Sequence, residues 1–237
     1  MRKIQFGILI KAFKYSIPVL LGYLAIGFAF GLLMADAGYP WWLTPVMSLT
    51  MFAGAGQYIA VGLFAAGTTV WEAALVQLVV NARHIAYGLS MLKRFRGFGL
   101  FKPYLVFSLT DETFALLSSL PEKNGPYDGD EKKRRLFVFY VALLDQCYWV
   151  CGSVIGALAG TFIPFDMKGI GFALTALFIV LMIEQIQRVK KPGLFIVSGV
   201  SALLALFLLP ARISLLAAFA IALAAAPLVT GRKHEQR

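Results

Sequence analysis

The sequence predicts an all-α, polytopic helical membrane protein, and three observations lead to this fold class. The 237 residues are 59% hydrophobic and only 14% charged, whereas soluble domains carry about 25% charged residues. Several apolar runs approach the ~20 residues that a helix needs to cross the hydrocarbon of a bilayer. Most of the 22 basic residues stand in clusters between or beyond these runs, as in cytoplasmic loops of membrane proteins. The apolar runs are 17–36, 44–66, 72–92, 136–162, 167–187, 193–210 and 213–230.

The chain begins with a basic stretch, 1–14, that is expected to form an interfacial helix before the first crossing. Its lysines recur at helical spacing, and its apolar residues lie elsewhere around the turn, an arrangement typical of helices on a membrane surface. If 1–14 is cytoplasmic, 17–36 crosses outward. Trp41 and Trp42 then lie at the far membrane interface, where tryptophan is enriched.

Two segments are expected to be broken or re-entrant helices. If 44–66 and 72–92 both crossed, the basic loop 93–102 would lie outside, against the positive-inside rule. A break in "FAGAGQY" (52–58), where glycines interrupt the apolar run, removes this conflict because glycine permits unusual backbone angles. The short run 103–120, which starts with a proline and contains two acids, is expected to fold back in the same way. With these two segments broken, the chain is expected to have about six to eight membrane segments.

The polar loop 121–135 separates the two halves of one membrane domain, which is expected to span residues 1–237. The charge rule puts this loop and both termini in the cytoplasm. Two glycine patterns, "GFAFG" (27–31) and "GSVIGALAG" (152–160), are typical of close helix contacts. They predict either packing within the chain or a surface for a partner subunit.

Polar residues inside the apolar run 72–92 form the densest candidate site. By the periodicity of a helix, Asn81 and His84 lie along one face of this segment, and Arg83 and Tyr87 lie next to that face. Ionisable groups at membrane depth usually mark a functional site. The alternatives are hydrogen bonding between neighbouring helices, and an Arg83 side chain that reaches the membrane surface.

Three acids outside this run are further candidates for the site. Asp111 and Glu112 are adjacent in "LTDETF", and Asp145 lies well inside 136–162. Burial and like charge both favour protonation of carboxylates, so each of the three is a candidate for proton coupling. The alternative is a structural role, in which one of the adjacent acids neutralises Arg83 and the other stands at the start of a short helix.

Other function classes have less support from the residues. The basic clusters alternate with membrane runs, which argues against nucleic acid and favours contact with anionic lipid headgroups. The two cysteines have no histidine nearby, so neither a metal site nor another cofactor is expected. An intramembrane aspartyl hydrolase is a further alternative, with Asp111 and Asp145 as its pair of carboxylates. Such a pair would need to share a proton, and the Gly-x-Gly-Asp context that is usual around the aspartate of these enzymes is missing.

The stretches "FAGAGQY" (52–58), "NARHIAYG" (81–88) and "LTDETFAL" (109–116) together resemble the AzlC family, the large subunit of AzlCD-type (YgaZ-type) branched-chain amino acid exporters. The resemblance implies a permease, rather than an enzyme, in the cytoplasmic (inner) membrane of a bacterium. It also implies export of branched-chain or other large neutral amino acids and a small AzlD-type membrane subunit as partner.

A neutral amino acid is a zwitterion, so its site needs donors for a carboxylate and acceptors for an ammonium group. A helix break supplies exposed N–H groups for the carboxylate. Proton antiport is expected to drive export, because the sequence has no ATP-binding G-x-x-x-x-G-K-[ST] motif; an amino-acid-permeable channel is the alternative. The predicted substrate-binding residues are Gly54, Gly56, Gln57, Asn81, Arg83, His84 and Tyr87, and the predicted proton-coupling residues are Asp111, Glu112 and Asp145.

Overall fold

A computed structural model describes residues 2–121, 125–162 and 192–209, together with isolated residues between 179 and 224. The predicted runs 167–187 and 213–230 lie largely outside the described residues, as does the C-terminal basic cluster. The chain divides into two compact units. One unit contains residues 1–65 and 80–171, and the other contains residues 66–79 and 172–237.

The described ranges contain eight α-helices and no strand, which confirms the predicted fold class. Two of them, Ile4–Asp36 within the first helix and Glu131–Phe162, are long and apolar enough to cross a membrane. The helices are α1 (Arg2–Asp36), α2 (Leu43–Thr50), α3 (Gly54–Ala65), α4 (Val70–Met91), α5 (Phe101–Phe107), α6 (Asp111–Ser119), α7 (Glu131–Phe162) and α8 (Pro192–Leu208).

Helices α1 and α7 form the main contact of the first unit and run parallel to each other. Ser16 meets Tyr148 near the middle of the two helices, and Ala35 meets Gly160 near their ends. The two glycine patterns face each other across this contact. A methyl group on Gly27 would lie 2.9 Å from the carbonyl oxygen of Trp149. The small residues therefore serve packing within the chain, one of the two uses that the sequence predicts.

Both segments predicted to be broken contain a helix break, but Gly54 and Gly56, which were expected to cause the first break, are helical residues of α3. Residues 51–53 separate α2 from α3, and residues 108–110 separate α5 from α6. The first break lies at the start of the glycine-containing stretch, and the second lies just before the adjacent acids. Each of these segments is thus a pair of short helices rather than one continuous span.

Three of the basic clusters meet at one end of the first unit. The Lys11 ammonium lies 4.6 Å from the centre of the Tyr127 ring, and Arg94 donates to the Ser118 carbonyl oxygen over 2.9 Å. The guanidinium of Arg134 lies 6.0 Å from the centre of the Phe98 ring. A buried apolar cluster from α1, α4, α5, α6, α7 and the 92–100 connection fills the space between them. These clusters therefore share one side, as the charge pattern requires.

Two boundaries differ from the predicted ones. Residues 2–14 are the first part of the continuous helix α1, which runs on through Pro18 into the crossing. Ile8 and Ala12 within them are buried in the apolar cluster.

The polar loop ends earlier than predicted, because α7 begins at Glu131. Asp130 accepts a hydrogen bond from the Lys133 backbone N–H over 3.1 Å. The Lys133 ammonium beside it lowers the pKa of Asp130.

The second unit contains the start of α4 and the apolar helix α8. Thr69 and Glu72 form reciprocal bonds at the start of α4: the Thr69 N–H donates to the Glu72 carboxylate over 3.0 Å, and the Glu72 N–H donates to the Thr69 hydroxyl over 3.3 Å. This capping box satisfies N–H groups that have no partner within the helix.

Candidate functional site: two helix breaks around Tyr23

The two helix breaks meet at Tyr23, in the middle part of α1. The Tyr23 ring contacts Phe52 of the first break edge to face, with ring centres 6.2 Å apart. Its hydroxyl contacts the hydroxyl of Thr110 in the second break and donates to Glu112 Oε2 over 2.8 Å. One buried side chain thus connects the two places where helical backbone is interrupted.

The second break ends in the capped N-terminus of α6. The Thr110 hydroxyl accepts the Thr113 backbone N–H over 3.3 Å, and Asp111 and Glu112 occupy the first turn. A Thr–Asp–Glu sequence folds in this way because the threonine satisfies a free N–H group. The acids also lie at the positive end of the helix dipole, which favours carboxylates. The helix start that the sequence offered as an alternative is therefore present.

An ion pair joins α4 to this helix start. Arg83 Nη1 lies 2.6 Å from Asp111 Oδ2, and the Tyr87 hydroxyl donates to Asp111 Oδ1 over 2.5 Å. The Tyr87 ring stacks on Phe114 with ring centres 4.4 Å apart. His84 packs against Tyr87 edge to face at 5.8 Å. A cation, an anion and an aromatic surface therefore lie side by side at the second break.

Arg83 retains one donor beyond this pair. Its Nε has no hydrogen-bond partner among the described residues. The Arg83 and Asp111 side chains are 35% and 28% exposed, so the pair is neither sealed in the protein interior nor fully open. A polar ligand is able to reach a partly exposed pair through its exposed atoms, whereas the unpaired Nε–H of Arg83 is buried.

Asp145 lies in the middle of α7 and is fully buried. Its Oδ2 accepts a hydrogen bond from the Thr113 hydroxyl over 2.8 Å. Its Oδ1 has no hydrogen-bond partner within the described part of the chain. This buried carboxyl group is connected to the start of α6 through a single hydroxyl.

Gln57 holds the first break against α7. The Trp149 indole N–H donates to Gln57 Oε1 over 2.8 Å, and Gln57 Nε2 donates to the Ser48 hydroxyl over 3.2 Å. Gly54 faces the Trp149 ring, and Gly56 is buried in the first turn of α3. The Gln57 amide thus fixes α2 and α3 to α7, and contact of these three residues with a substrate stays a prediction.

The structure brings together most of the predicted site residues. Arg83, Tyr87 and Asp111 are in direct contact, His84 and Glu112 border them, and Asn81 interacts with His84 through its backbone. The two carboxyl groups proposed for an aspartyl hydrolase have different partners: Asp111 binds Arg83 and Tyr87, whereas Asp145 binds Thr113.

Three residues of the site were missed by the sequence analysis: Tyr23, Thr110 and Thr113. Thr110 had a readable signal, since a threonine before two acids is a common N-cap. Tyr23 and Thr113 had none. Tyr23 is one aromatic residue in a long apolar helix, and its partners are distant in sequence.

Continuous apolar helices, two broken helices and polar groups at the breaks define a helical membrane protein with a polar centre. Comparison with known proteins agrees, because residues 18–163 match the AzlC protein family. The chain belongs to the AzlC family.

Several curated relatives resemble it along most of their length. An uncharacterized membrane protein of Helicobacter pylori is 43% identical over 75% of both chains. The branched-chain amino acid transport protein AzlC of Bacillus subtilis is 38% identical, over 76% of this chain and 69% of the relative. The inner membrane protein YgaZ of Escherichia coli is 31% identical, over 84% and 82%. No solved structure matches this chain.

Proposed function

We propose that this protein is a secondary transporter that exports branched-chain or other large neutral amino acids across the cytoplasmic membrane in exchange for protons. The observation that carries the proposal is the Arg83–Asp111 ion pair beside two helix breaks. The B. subtilis relative is named as a branched-chain amino acid transport protein, which supports this substrate class.

A partly exposed ion pair suits a zwitterionic substrate for an electrostatic reason. When the amino acid binds, its carboxylate pairs with Arg83 and its ammonium group pairs with Asp111. Two opposite charges enter together, so the net charge of the site does not change. This avoids the large free energy of an unpaired charge in a low-dielectric medium. The partly exposed Arg83 guanidinium supplies charged N–H donors for the substrate carboxylate.

The apolar side chain of the substrate has a suitable neighbour. Tyr87 and Phe114 form a stacked pair next to Asp111, and aromatic faces of this kind bind branched aliphatic groups through dispersion and burial. The first break adds the positive end of α3, which favours a carboxylate. Broken helices at the membrane midplane recur in secondary transporters because they offer such main-chain groups.

The partner and the direction of transport rest on the resemblance to AzlCD-type exporters. We propose a small AzlD-type membrane subunit as the partner, the cytoplasmic membrane as the location, and cytoplasmic positions for both termini. The basic end of the first unit then faces the cytoplasm and anionic lipid headgroups.

Competition during counterflow in proteoliposomes tests the zwitterion site. Vesicles that contain the protein, with and without the small subunit, are loaded with unlabelled leucine and exposed to labelled leucine. Valine and isoleucine are expected to compete. Isopentylamine, which lacks the carboxylate, and 4-methylpentanoate, which lacks the ammonium group, are expected to compete at least ~10-fold more weakly, because each leaves one charge of the ion pair without its new partner.

Equal competition by either analogue would exclude the proposed role of the ion pair. Uptake without saturation or counterflow would identify a channel instead of a carrier. Protein-free vesicles and vesicles with the Arg83→Gln variant provide the background rates.

A further inference from the structure

A continuous chain of hydroxyl groups connects two acids of the first unit. Tyr23 donates to Glu112 over 2.8 Å and also contacts the Thr110 hydroxyl. The Thr110 hydroxyl donates to Thr113 over 3.1 Å, and Thr113 donates to Asp145 over 2.8 Å. Three hydroxyl groups from α1 and the start of α6 therefore link Glu112 to Asp145 in the centre of α7.

This chain of hydroxyls is enclosed by protein. Tyr23 is 3% exposed, and Thr113 and Asp145 are 0% exposed. Among the described residues neither Glu112 nor Asp145 has a salt-bridge partner, whereas Asp111 has Arg83. Glu112 is half-buried and Asp145 is fully buried, so ionising both carboxylates without a salt-bridge partner is unfavourable. The titratable and charged groups around the two acids are Tyr23, Arg83, Asp111, Tyr104 and Tyr148.

The number of protons available to this chain of hydroxyl groups decides whether both acids are ionised. Four oxygen–oxygen links join Glu112, Tyr23, Thr110, Thr113 and Asp145, but the three hydroxyl groups hold only three protons. With both acids ionised, one link has lone pairs facing each other and no hydrogen between them. One carboxylic acid proton supplies the fourth hydrogen bond and reduces the buried charge from two to one.

We propose that Glu112 and Asp145 share a single proton, and that Tyr23, Thr110 and Thr113 pass it between them. When Glu112 holds the proton, each group donates toward Asp145. Transfer breaks the Glu112 O–H bond, moves one proton across every link and forms an O–H bond on Asp145. The four hydrogen bonds then point the opposite way, and the net charge of the three hydroxyl groups and two acids stays constant. Its use as the coupling path of transport rests on the proposed function.

The position of the two acids suggests what the relay does. Glu112 follows Asp111, so a bound ammonium group changes the electrostatic potential at Glu112 directly. Asp145 lies on a different helix, α7, and is connected to Glu112 only through the hydroxyl groups that end at Thr113. Substrate binding at the ion pair therefore favours ionised Glu112 and moves the shared proton toward Asp145. Substrate and proton are linked in this way without direct contact.

Transport by hydroxyl-deletion variants tests the relay. Tyr23→Phe and Thr113→Val remove one hydroxyl each and preserve most of the packing. We expect pH-driven efflux to fall roughly 100-fold, the scale of losing a positioned proton-transfer group. Counterflow at equal pH is expected to fall far less than pH-driven efflux, because the substrate-loaded carrier crosses in both directions without net proton movement. Thr113→Ser restores the hydroxyl and is expected to restore pH-driven efflux.

Tyr15→Phe is the matched control. Tyr15 lies on the same helix and donates to the Leu116 carbonyl oxygen of α6 over 3.1 Å, outside the chain of hydroxyls. It is expected to retain both activities. Wild-type pH-driven efflux from Tyr23→Phe and Thr113→Val would overturn the relay, as would an equal loss of counterflow in both, which indicates a structural role.

Infrared difference spectroscopy tests the shared proton independently of transport. At neutral pH the wild-type protein is expected to show a protonated carboxylic acid band. Asp145→Asn is expected to remove it, because the asparagine NH₂ supplies the fourth hydrogen bond and leaves Glu112 ionised. A missing band in the wild type, or a band that persists in this variant, would overturn the shared proton. If the band behaves as expected but no amino acid is transported, the proposed function fails and the shared proton stands.

Discussion

At the scale of single residues, the Arg83–Asp111 pair has a structural role and is proposed to recognise the substrate as well. Its 2.6 Å contact ties α4 to the start of α6, and the partial exposure of both side chains leaves room for exchange with a ligand. The same two charges therefore have two possible sets of partners, each other and a zwitterion. A purely structural pair would be insensitive to such a ligand.

A double-mutant cycle separates these two roles. Arg83→Gln and Asp111→Asn each leave one charge without its partner, and each is expected to lower the free energy of unfolding by about 1–2 kcal/mol, between the values for exposed and buried pairs. The double variant removes both charges and is expected to recover most of this stability. Thermal unfolding in detergent measures the effect.

Leucine counterflow is then measured for the same three variants. All three variants are expected to lose leucine counterflow, since neither charge is available to the substrate in the double variant. The paired role in recognition would be refuted if the double variant regained both stability and counterflow. Lys93→Gln, which changes an exposed basic side chain away from the helix breaks, controls for a general effect of charge.

The sequence identified charged site residues more readily than neutral ones. An arginine or an acid in an apolar run stands out because its insertion into a bilayer is unfavourable. Tyr23, Thr110 and Thr113 carry no such signal, and their partners lie 87 or 89 positions away for Tyr23, and 32 positions away for the Thr113–Asp145 bond. Gln57 was predicted to bind substrate; its amide contacts Trp149 and Ser48 in this structure, and contact with a substrate stays a prediction.

At the scale of elements, the contact between α1 and α7 positions the site. Tyr23 belongs to α1 and Asp145 belongs to α7, so a small separation of these helices would break the chain of hydroxyls. The close approach depends on glycines, because lipid provides little hydrophobic driving force and packing must stabilise the contact. The glycine patterns in the sequence predicted close packing, but they did not indicate which helix was the partner.

Alanine substitutions on α1 test this contact. A methyl group on Gly31 would collide with the Ser153 backbone, whereas a methyl group on Gly22 would have no atom within 4 Å. Gly31→Ala is expected to destabilise the protein by about 1–3 kcal/mol, the scale of overpacking. Gly22→Ala is expected to have no effect or to stabilise it by up to about 1 kcal/mol, since alanine favours helix.

Thermal unfolding of the two variants in the same detergent provides the comparison. Gly31→Ala is also expected to reduce pH-driven efflux, because it separates Tyr23 from α7. Equal unfolding temperatures for Gly31→Ala and Gly22→Ala would contradict the close helix contact. The pair of variants controls for helix propensity, since both replace glycine by alanine within α1.

At the scale of the whole molecule, the clustering of basic groups explains why broken helices were predictable. Continuous spans would have placed the loop 93–102 opposite the other basic clusters. The structure instead brings the described residues of three clusters, 2–14, 93–102 and 125–135, to one end. The charge pattern thus constrained the path of the chain in the first unit. It did not specify the residues at which the helices break, which are 51–53 and, beside the Thr110 cap, 108–110.

The orientation of this basic end in the membrane is testable with single cysteines. Helix α1 rises ~1.5 Å per residue, so Ala37, just beyond its last residue, lies on the order of 40 Å from the buried contact of Ala12 with the basic end. In a background with Cys147→Ala and Cys151→Ala, an impermeant thiol reagent is expected to label Ala37→Cys in intact cells and Asp128→Cys only in inverted vesicles. Labelling of both from one side would contradict a crossing by α1, and the reverse pattern would place the basic end outside, against the attraction of basic loops to the cytoplasmic leaflet.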